Sequence, residues 1–429
     1  MQYELFGESE PLISLEDVFK AYYECRKNKR RTINALHFEV NFEQELIKLW
    51  QELNSGTYKI GRSIAFIVKK PVQREIFAAD FRDRIVHHLV IGKINHLFEK
   101  EFIFDSYSCR PNKGTLVGVR RVSEMMRLCS NNWTKDCYIL KMDIKSFFMS
   151  INKPILYQML IRFLEEKYHA PDKPIILRLI KQIIFNNPED NCLIKGNRSD
   201  WNGLPIYKSL FWVSKWCGLP IGNLTSQIFA NFYLNGLDKF VAQTLKIPHY
   251  GRYVDDFVLI HQDKKVLLEA KERISDFLEQ KFKLRLHPQK IYLQHCVKGV
   301  RFIGAVIKPY RIYVGNRSKG ALYNKLFGIV SKMSQSLEST LCELKHFVCC
   351  MNSYFGMLKH YQTYRLRCHI LRELDKTFLS EALAPEYNAQ KISLLKYFQP
   401  SFLKQRQIRN QRNYRRRYLN MQREKGYAV

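Results

Sequence analysis

The sequence has no long hydrophobic run, and this absence limits where the protein can act. No stretch of its 429 residues approaches the ~18 consecutive apolar residues that a membrane span requires. The first eight residues, MQYELFGE, contain two glutamates and no apolar core of the kind that a secretory signal peptide carries. These absences predict a cytoplasmic protein with no membrane partner.

The sequence also lacks the cysteine and histidine patterns of stapled domains. Its 11 cysteines are odd in number and irregularly spaced, no CxxC pair occurs, and none of the 12 histidines has zinc-ligand spacing with a cysteine. Reduced thiols in a cytosolic protein fit this usage. The motifs GxxxxGK[ST], HExxH, GxSxG and a GxGxxG after a strand are missing, which excludes the common nucleotide, zinc-protease and serine-hydrolase sites.

Acidic residues are few relative to basic ones. Asp and Glu total 40 against 70 Lys and Arg, which gives a formal charge of +30, and 46% hydrophobic residues support a sizeable core. Such an excess indicates a polyanionic partner, with nucleic acid the leading candidate. Residues 401–429 hold nine basic residues, one acid and four interleaved aromatics. This composition predicts a nucleic-acid-binding tail, with a solvated charged face as the alternative.

Two adjacent aspartates, Asp255 and Asp256, lie in a β-prone run. The pattern predicts two strands joined by a tight two-residue corner that carries both aspartates. Adjacent carboxylates repel each other unless a cation lies between them, and Mg²⁺ is the cation that carboxylates and substrate phosphates bind together. An ordinary hairpin turn is the alternative, because aspartate is common in turns.

A third aspartate, Asp143, ends a mostly apolar segment that predicts a buried strand. An ionised carboxylate at the end of such a strand needs a partner. Two-metal phosphoryl transfer places its cations ~4 Å apart, which requires shared carboxylates from separate strands. Asp143 on one strand and the Asp255-Asp256 hairpin on a neighbouring strand would meet that requirement.

Basic and glycine-containing segments surround these strands. Lys69, Lys70 and Arg74 follow a predicted strand, and they could clamp a triphosphate or form a solvated strand edge. Arg110 lies on a loop marked by Pro, Asn and Gly. In the segment 218–227, two glycines allow close backbone approach to a flat ligand, and the same segment could begin a capped helix.

Together, the order of these blocks resembles a reverse transcriptase of the bacterial, group II intron-like kind. The resemblance covers residues from about 63 to 310 and rests on seven blocks: Arg74 with Asp83-Arg84; Ser106-Tyr107 with Arg110-Pro111; Asp143-Ile144-Lys145-Ser146-Phe147-Phe148; Gly218-Leu219-Pro220-Ile221-Gly222-Asn223 with Ser226-Gln227; Tyr253-Val254-Asp255-Asp256; Lys290; and Phe302-Ile303-Gly304.

Within that class, two positions resemble the reverse transcriptases of diversity-generating retroelements. Most relatives have Ser-Pro where this chain has Ser226-Gln227, and most have Gln where it has Ile221. Enzymes of this subtype copy a template RNA into complementary DNA with errors concentrated at template adenines. The resemblance therefore implies template RNA, complementary DNA and deoxynucleoside triphosphates as partners, together with a small basic accessory protein encoded nearby.

The resemblance also implies roles for single residues. Asp143 and Asp255 would hold two Mg²⁺ ions, which Mn²⁺ could replace, with Asp256 completing the site and the Ile144 carbonyl as a backbone ligand. Lys290 is the candidate general acid. For the nucleotide, the resemblance implies Arg74 with either Lys69 or Lys70 on the triphosphate, Phe148 against the sugar, and Ile221 and Gly222 lining the pocket. For primer and template, it implies contacts by Arg110, Phe302, Ile303 and Gly304.

The implied fold is α+β, a right-hand polymerase with fingers, a palm of antiparallel sheet and helices, and an α-helical thumb. The predicted divisions are an N-terminal helical extension (1–62), fingers (63–136), the first part of the palm (137–165), a fingers insertion (166–217), the second part of the palm with the catalytic hairpin (218–314), a helical thumb (315–400) and the basic tail (401–429).

The leading predicted function is two-metal synthesis of complementary DNA on a retroelement RNA, with adenine-directed low fidelity that diversifies a target protein. A reverse transcriptase of the phage-defence or retron type is one alternative. A catalytically inactive, polymerase-like RNA-binding protein is another, and the three intact aspartates argue against it. After residue 310, neither the spaced acids of a ribonuclease H nor a His/Cys-rich endonuclease module occurs.

Overall fold

The computed structural model describes residues 11–27, 32–335, 341–386 and 389–395. The predicted nucleic-acid-binding tail, residues 401–429, lies outside these described residues. The chain divides into two units, Met1–Lys298 and Gly299–Val429.

The first unit contains helices and two sheets. Its helices are α1 (Leu15–Arg26), α2 (Ile33–Glu39), α3 (Phe42–Ser55), α4 (Phe81–Glu101), α5 (Thr115–Cys129), α6 (Phe147–Ser150), α7 (Lys153–Lys167), α8 (Lys173–Phe185), α9 (Leu224–Tyr233), α10 (Asn235–Lys239) and α11 (Lys264–Phe277). Its strands are β1 (Ser63–Val68), β2 (Arg74–Ala78), β3 (Tyr138–Asp143), β4 (Cys192–Ile194), β5 (His249–Tyr253), β6 (Asp256–His261) and β7 (Tyr292–His295).

A four-stranded antiparallel sheet lies at the centre of the first unit. Its strand order is β5-β6-β3-β7, so the central pair is formed by segments more than 100 residues apart in sequence. Four consecutive residues of β6, Phe257 to Ile260, are buried. Such a run indicates a strand covered on both faces, and both α5 and α11 pack against β6.

The smaller sheet joins the predicted fingers to the predicted insertion. Strands β1 and β2 form an antiparallel hairpin, and β4 pairs with β1 in parallel. The segment 166–217, predicted as a fingers insertion, contains β4 and α8, and neither element was predicted from the sequence. The signal for α8 is its apolar stripe, because Ile175, Ile176, Leu179, Ile180, Ile183 and Ile184 are buried at helical spacing.

Helices before residue 62 pack against the core of the same unit. The helical segments predicted there are present as α1, α2 and α3. Helix α1 lies against α4. Lys93 of α4 ties this contact to α1 and to the N-terminus of α8, because its Nζ is 2.7 Å from Asp17 and 3.0 Å from Asp172.

The described residues of the second unit form short strands and three longer helices. Its elements are β8 (Val300–Phe302), β9 (Ala305–Lys308), β10 (Arg311–Val314), α12 (Asn316–Gln335), α13 (Leu341–Leu358), α14 (Tyr364–Asp375), β11 (Leu383–Pro385) and β12 (Ile392–Leu394). Helix α13 has a buried apolar stripe that includes Leu344, Met351, Phe355 and Leu358. Residues 299–314 group with these helices, whereas the sequence predicted a boundary after residue 314.

The mixture of antiparallel sheets and helices confirms the predicted α+β fold class. Assignment of fingers, palm and thumb to particular residue ranges stays a prediction. None of the described helices combines the length and the apolar character that crossing a membrane requires.

Candidate active site

The corner between β5 and β6 consists of Val254 and Asp255, because Tyr253 pairs with Asp256 across the hairpin. The prediction that both aspartates lie on the corner is therefore wrong by one residue, since Asp256 is the first residue of β6. Val254 has a φ of 56°. A positive φ at the first corner residue suits a two-residue hairpin loop, although it strains a β-branched side chain.

The third aspartate lies beside this hairpin. Strands β3 and β6 pair in antiparallel register with Asp143 directly opposite Asp256. The backbone N–H of Ile144 donates to the Asp255 carbonyl at 3.3 Å, which holds the corner against the end of β3. The sheet thus brings the three predicted carboxylates together, and the driving force is the burial of the apolar residues that precede and follow them.

Two lysines neutralise part of this negative charge. Lys290 Nζ is 2.9 Å from Asp143 Oδ1, and Lys141 Nζ is 2.8 Å from Asp256 Oδ2. The sequence predicts a role for Lys290, which lies in the 3₁₀ turn before β7, but Lys141 was missed. The available signal was a lysine inside an apolar strand, two residues before Asp143 and hence on the same face of the sheet.

Burial raises the pKa of the Asp255 carboxyl to about 7, and the neighbouring Asp143 charge adds to that shift. Burial also raises the pKa of Asp256 to about 6, against the lowering effect of the Lys141 ammonium. Oδ1 of Asp256 is buried without a hydrogen-bond partner. Burial thus disfavours the charged form of both carboxyls, and a cation bound beside them would favour it.

The chemistry of these donors fits a hard divalent cation. Carboxylate and backbone carbonyl oxygens are the ligands that Mg²⁺ prefers, and the open oxygen of Asp256 and the buried Asp255 would each gain from a cation. Across the described ranges, no three His, Cys, Asp or Glu side chains are already arranged to hold a metal ion. A metal would thus compete with Lys141 and Lys290 for the carboxylates and would require side-chain rotation.

A buried ion pair supports the corner from behind. The Arg252 guanidinium is fully buried and pairs with Asp238 of α10 through Nε–Oδ1 at 2.6 Å and Nη2–Oδ2 at 2.5 Å. Its Nη1 donates to the Val254 carbonyl at 2.9 Å, and the Tyr250 hydroxyl donates to Asp238 Oδ1 at 2.7 Å. Arg252 thus restrains the strained residue that precedes Asp255, a role that sequence reasoning missed.

The cationic candidates for the triphosphate lie at the β1–β2 hairpin. Arg74 begins β2 and is exposed, as is Lys70. Lys69 is engaged in an ion pair, because its Nζ is 2.7 Å from Asp200 Oδ1. This difference favours Lys70 over Lys69 as the lysine available to an anionic ligand.

The loop carrying Ile221 and Gly222 lies against β2. The N–H of Phe77 donates to the Ile221 carbonyl at 3.0 Å. Gly222 has a φ of 123°, and a Cβ at this residue would lie 2.9 Å from Ile76 Cγ2, so the close approach requires glycine. Ile221 packs, half-buried, against the apolar cluster that includes Phe77 and Leu210. Contact of Ile221 or Gly222 with a nucleotide stays a prediction.

The side chains of Phe148 and Arg110 differ in how accessible they are to a ligand. Phe148 is half-buried and meets the buried Phe147 edge-on at 5.6 Å between ring centroids. The Arg110 side chain is buried, and its guanidinium donates to Glu99 at 3.0 Å and to the Ile103 carbonyl at 2.6 Å. This position assigns Arg110 to fixing its own loop, and its predicted contact with primer or template gains no support from it.

The predicted primer-binding block lies in the second unit. Phe302 ends β8 with its side chain buried, while Ile303 and Gly304 form the turn to β9 with φ values of 39° and 88°. Any contact of this block with a primer would therefore be made by the turn rather than by the Phe302 ring. That contact stays a prediction.

More than half of the chain matches a family of known proteins. Residues 68–307 match the family model Reverse transcriptase (RNA-dependent DNA polymerase). The chain is 24% identical over 306 residues to protein YkfC of Escherichia coli (strain K12), which is 63% of this chain and 73% of YkfC.

Two further similarities cover smaller shares of the other proteins. The group II intron-encoded protein LtrA of Lactococcus lactis subsp. cremoris is 24% identical over 307 residues, or 63% of this chain and 50% of LtrA. A solved structure of telomerase from Candida albicans with a TWJ fragment of telomeric RNA is 14% identical, with a TM-score of 0.45, over 81% of this chain and 59% of that chain. The present chain thus spans about half the length of LtrA.

Proposed function

This chain belongs to the reverse transcriptase family, and from that premise we propose that it is an RNA-directed DNA polymerase that copies template RNA into complementary DNA. The observation that carries the proposal is the strand register that sets Asp143 opposite Asp256, with Asp255 on the adjoining corner. Phosphoryl transfer depends mainly on positioning and charge stabilisation. Three carboxylates at adjoining strand ends supply the oxygen ligands for that task.

Asp143 and Asp255 would hold two Mg²⁺ ions, with Asp256 and the Ile144 carbonyl completing the ligands. When bound, such ions stabilise the charge on the attacking and leaving oxygens of an in-line displacement. Lys141 pairs with Asp256, and Lys290 pairs with Asp143. Lys290 is more than half exposed, so it can leave Asp143 and deliver a proton to a departing phosphate.

The nucleotide would lie between the β1–β2 hairpin and the end of β3. Arg74 and Lys70 would bind the triphosphate, because both are exposed and cationic. Phe148 would lie against the sugar and leave no room for a 2′-hydroxyl. The backbone carbonyl of Phe148 accepts a hydrogen bond from the Leu219 N–H at 2.8 Å. This bond connects the backbone at Phe148 to the loop that carries Ile221 and Gly222.

More specifically, we propose that the enzyme is of the diversity-generating type and acts in the cytoplasm with a small basic accessory protein. The residues that support this subtype are Ser226-Gln227 and Ile221. Ser226 is buried in the first turn of α9, whereas Gln227 is exposed and accepts from Cys109 Sγ at 3.3 Å. A role in phage defence or as a retron is the alternative within the same chemistry.

Primer extension on a defined RNA template tests both the polymerase activity and the diversity-generating subtype. With deoxynucleoside triphosphates and Mg²⁺, the full-length chain should extend the primer, and a chelator should stop extension. Absence of extension with Mg²⁺ and with Mn²⁺, with or without the accessory protein, would contradict the polymerase. Errors spread evenly over the four template bases would contradict the diversity-generating subtype and leave the polymerase intact.

A further inference from the structure

One segment of the first unit exposes large apolar side chains that a core would normally bury. Within residues 206–216, Ile206 is 67% exposed, Tyr207 48%, Trp212 70% and Trp216 63%. Tryptophan is rarely so exposed in a monomer, and grouped exposure of this kind marks a binding surface. The segment uses neither the carboxylates nor the basic hairpin already described.

Two lysine ammonium groups lie over the ring of Tyr207. Lys145 Nζ is 5.3 Å from the centre of the Tyr207 ring, and Lys208 Nζ is 5.9 Å from it. Lys145 is exposed and follows Asp143 by two residues, at the catalytic end of β3. An aromatic ring with two ammonium groups over it thus lies next to the candidate active site.

A buried carboxylate fastens this segment to the strand that carries Arg74. Glu75 of β2 is 1% exposed. Its Oε2 accepts from Trp201 Nε1 at 2.7 Å and from Ser209 Oγ at 2.6 Å, and its Oε1 accepts from Leu210 N–H at 2.6 Å. Two of these hydrogen bonds hold Ser209 and Leu210, which follow Tyr207 and Lys208 directly, so the ring is held on a rigid base.

We propose that Lys145, Tyr207 and Lys208, the Tyr207 platform, bind the unpaired template nucleotides that have yet to be copied. An aromatic face stacks on bases only where they are unpaired, because bases in a duplex already stack on each other. A copying polymerase has duplex behind its catalytic centre and single strand ahead of it. Lys145 and Lys208 are both exposed, so their ammonium groups can leave the ring and bind the phosphates on either side of a base that stacks there. The 70 basic residues against 40 acidic ones suit such a polyanion.

This inference rests on the proposed polymerase function, and the test separates the two. Full-length variants extend a primer on two RNA templates, one with a single unpaired nucleotide ahead of the primer end and one with ten. The Tyr207→Ala variant should raise the ratio of KM for the ten-nucleotide template to KM for the one-nucleotide template by about 5- to 100-fold. Tyr207→Phe should restore the wild-type ratio, whereas Tyr207→Leu should not, because leucine has similar bulk without a ring.

Tyr23→Ala is the matched control, because Tyr23 is 56% exposed on α1, far along the chain from this segment. Tyr23→Ala should leave the ratio of the two KM values unchanged. All variants should melt within about 1 °C of the wild type, because surface substitutions change stability little. An unchanged ratio in Tyr207→Ala, with wild-type extension intact, would overturn the platform alone. Failure of the wild type on both templates would overturn the polymerase instead. Loss in Tyr207→Leu equal to that in Tyr207→Phe would show that stacking is not the cause.

Discussion

Removing one partner of the buried ion pair between Arg252 and Asp238 should destabilise the first unit far more than removing one partner of an exposed ion pair. Both side chains are 0% exposed. Asp238→Asn keeps the shape but leaves a guanidinium buried without its counter-charge, and breaking such a pair costs about 3–5 kcal/mol. For a unit of this size each kcal/mol lowers Tm by about 2–4 °C, so we expect a loss of about 6–20 °C.

The matched control is an exposed pair of the same chemistry. Lys215 Nζ is 2.8 Å from Asp190 Oδ2, and their side chains are 64% and 52% exposed. Asp190→Asn should change stability by no more than about 1 kcal/mol, because solvent screens exposed pairs. Differential scanning calorimetry of the two variants gives the comparison directly. Equal Tm losses would refute the argument from burial.

A triple variant separates stability from catalysis. Asp238→Leu with Tyr250→Phe and Arg252→Met replaces the buried polar groups by apolar ones, which is often neutral or stabilising. Tm should therefore recover toward the wild-type value. Because Arg252→Met removes the Nη1 donor of the Val254 carbonyl, and a hydrogen bond to a charged group contributes about 1.5–3 kcal/mol, kcat of the triple variant should be about 10- to 100-fold below the wild-type value. Recovery of both Tm and kcat would refute the positioning role of Arg252.

Three further predictions follow from the proposed function. Phe148→Ala should admit ribonucleotides, measured as the ratio of kcat/KM for a deoxynucleotide to that for the ribonucleotide; an unchanged ratio would remove Phe148 from the sugar contact. Deleting residues 401–429 should weaken RNA binding and reduce the log–log salt slope by about 0.7–0.9 for each lost phosphate contact, and an identical slope would exclude the tail from the complex. Ile221→Gln should lower misincorporation opposite adenine by up to about tenfold while synthesis continues. The added amide would favour the correctly aligned base pair by one hydrogen bond of about 1 kcal/mol. An active variant with the wild-type error spectrum would contradict this.

The fold class was predictable from the family resemblance, and the proximity of the three carboxylates was predictable from local patterns. Asp143 follows an apolar strand, and Asp255-Asp256 interrupts another. The corner was misplaced by one residue because a valine at positive φ is unfavourable in isolation, and pairing of Tyr253 with Asp256 overrides that preference.

Features that depend on tertiary partners were not predictable in the same way. Asp238 precedes Arg252 by 14 residues and gives no local sign of being its counter-ion. Strand β4 has three residues and exists because β1 offers it a parallel edge. Arg110 has the composition of a ligand-binding arginine, yet Glu99 and backbone carbonyls occupy its guanidinium.

The most direct measurement of the central proposal is magnesium-dependent primer extension by the Asp255→Ala, Asp256→Ala double variant. Asp276→Ala, an exposed substitution on α11, is the control. The double variant should retain RNA affinity and lose DNA synthesis, whereas the control should keep both. DNA synthesis by the double variant at the wild-type rate would contradict the assignment of this carboxylate cluster as the catalytic centre.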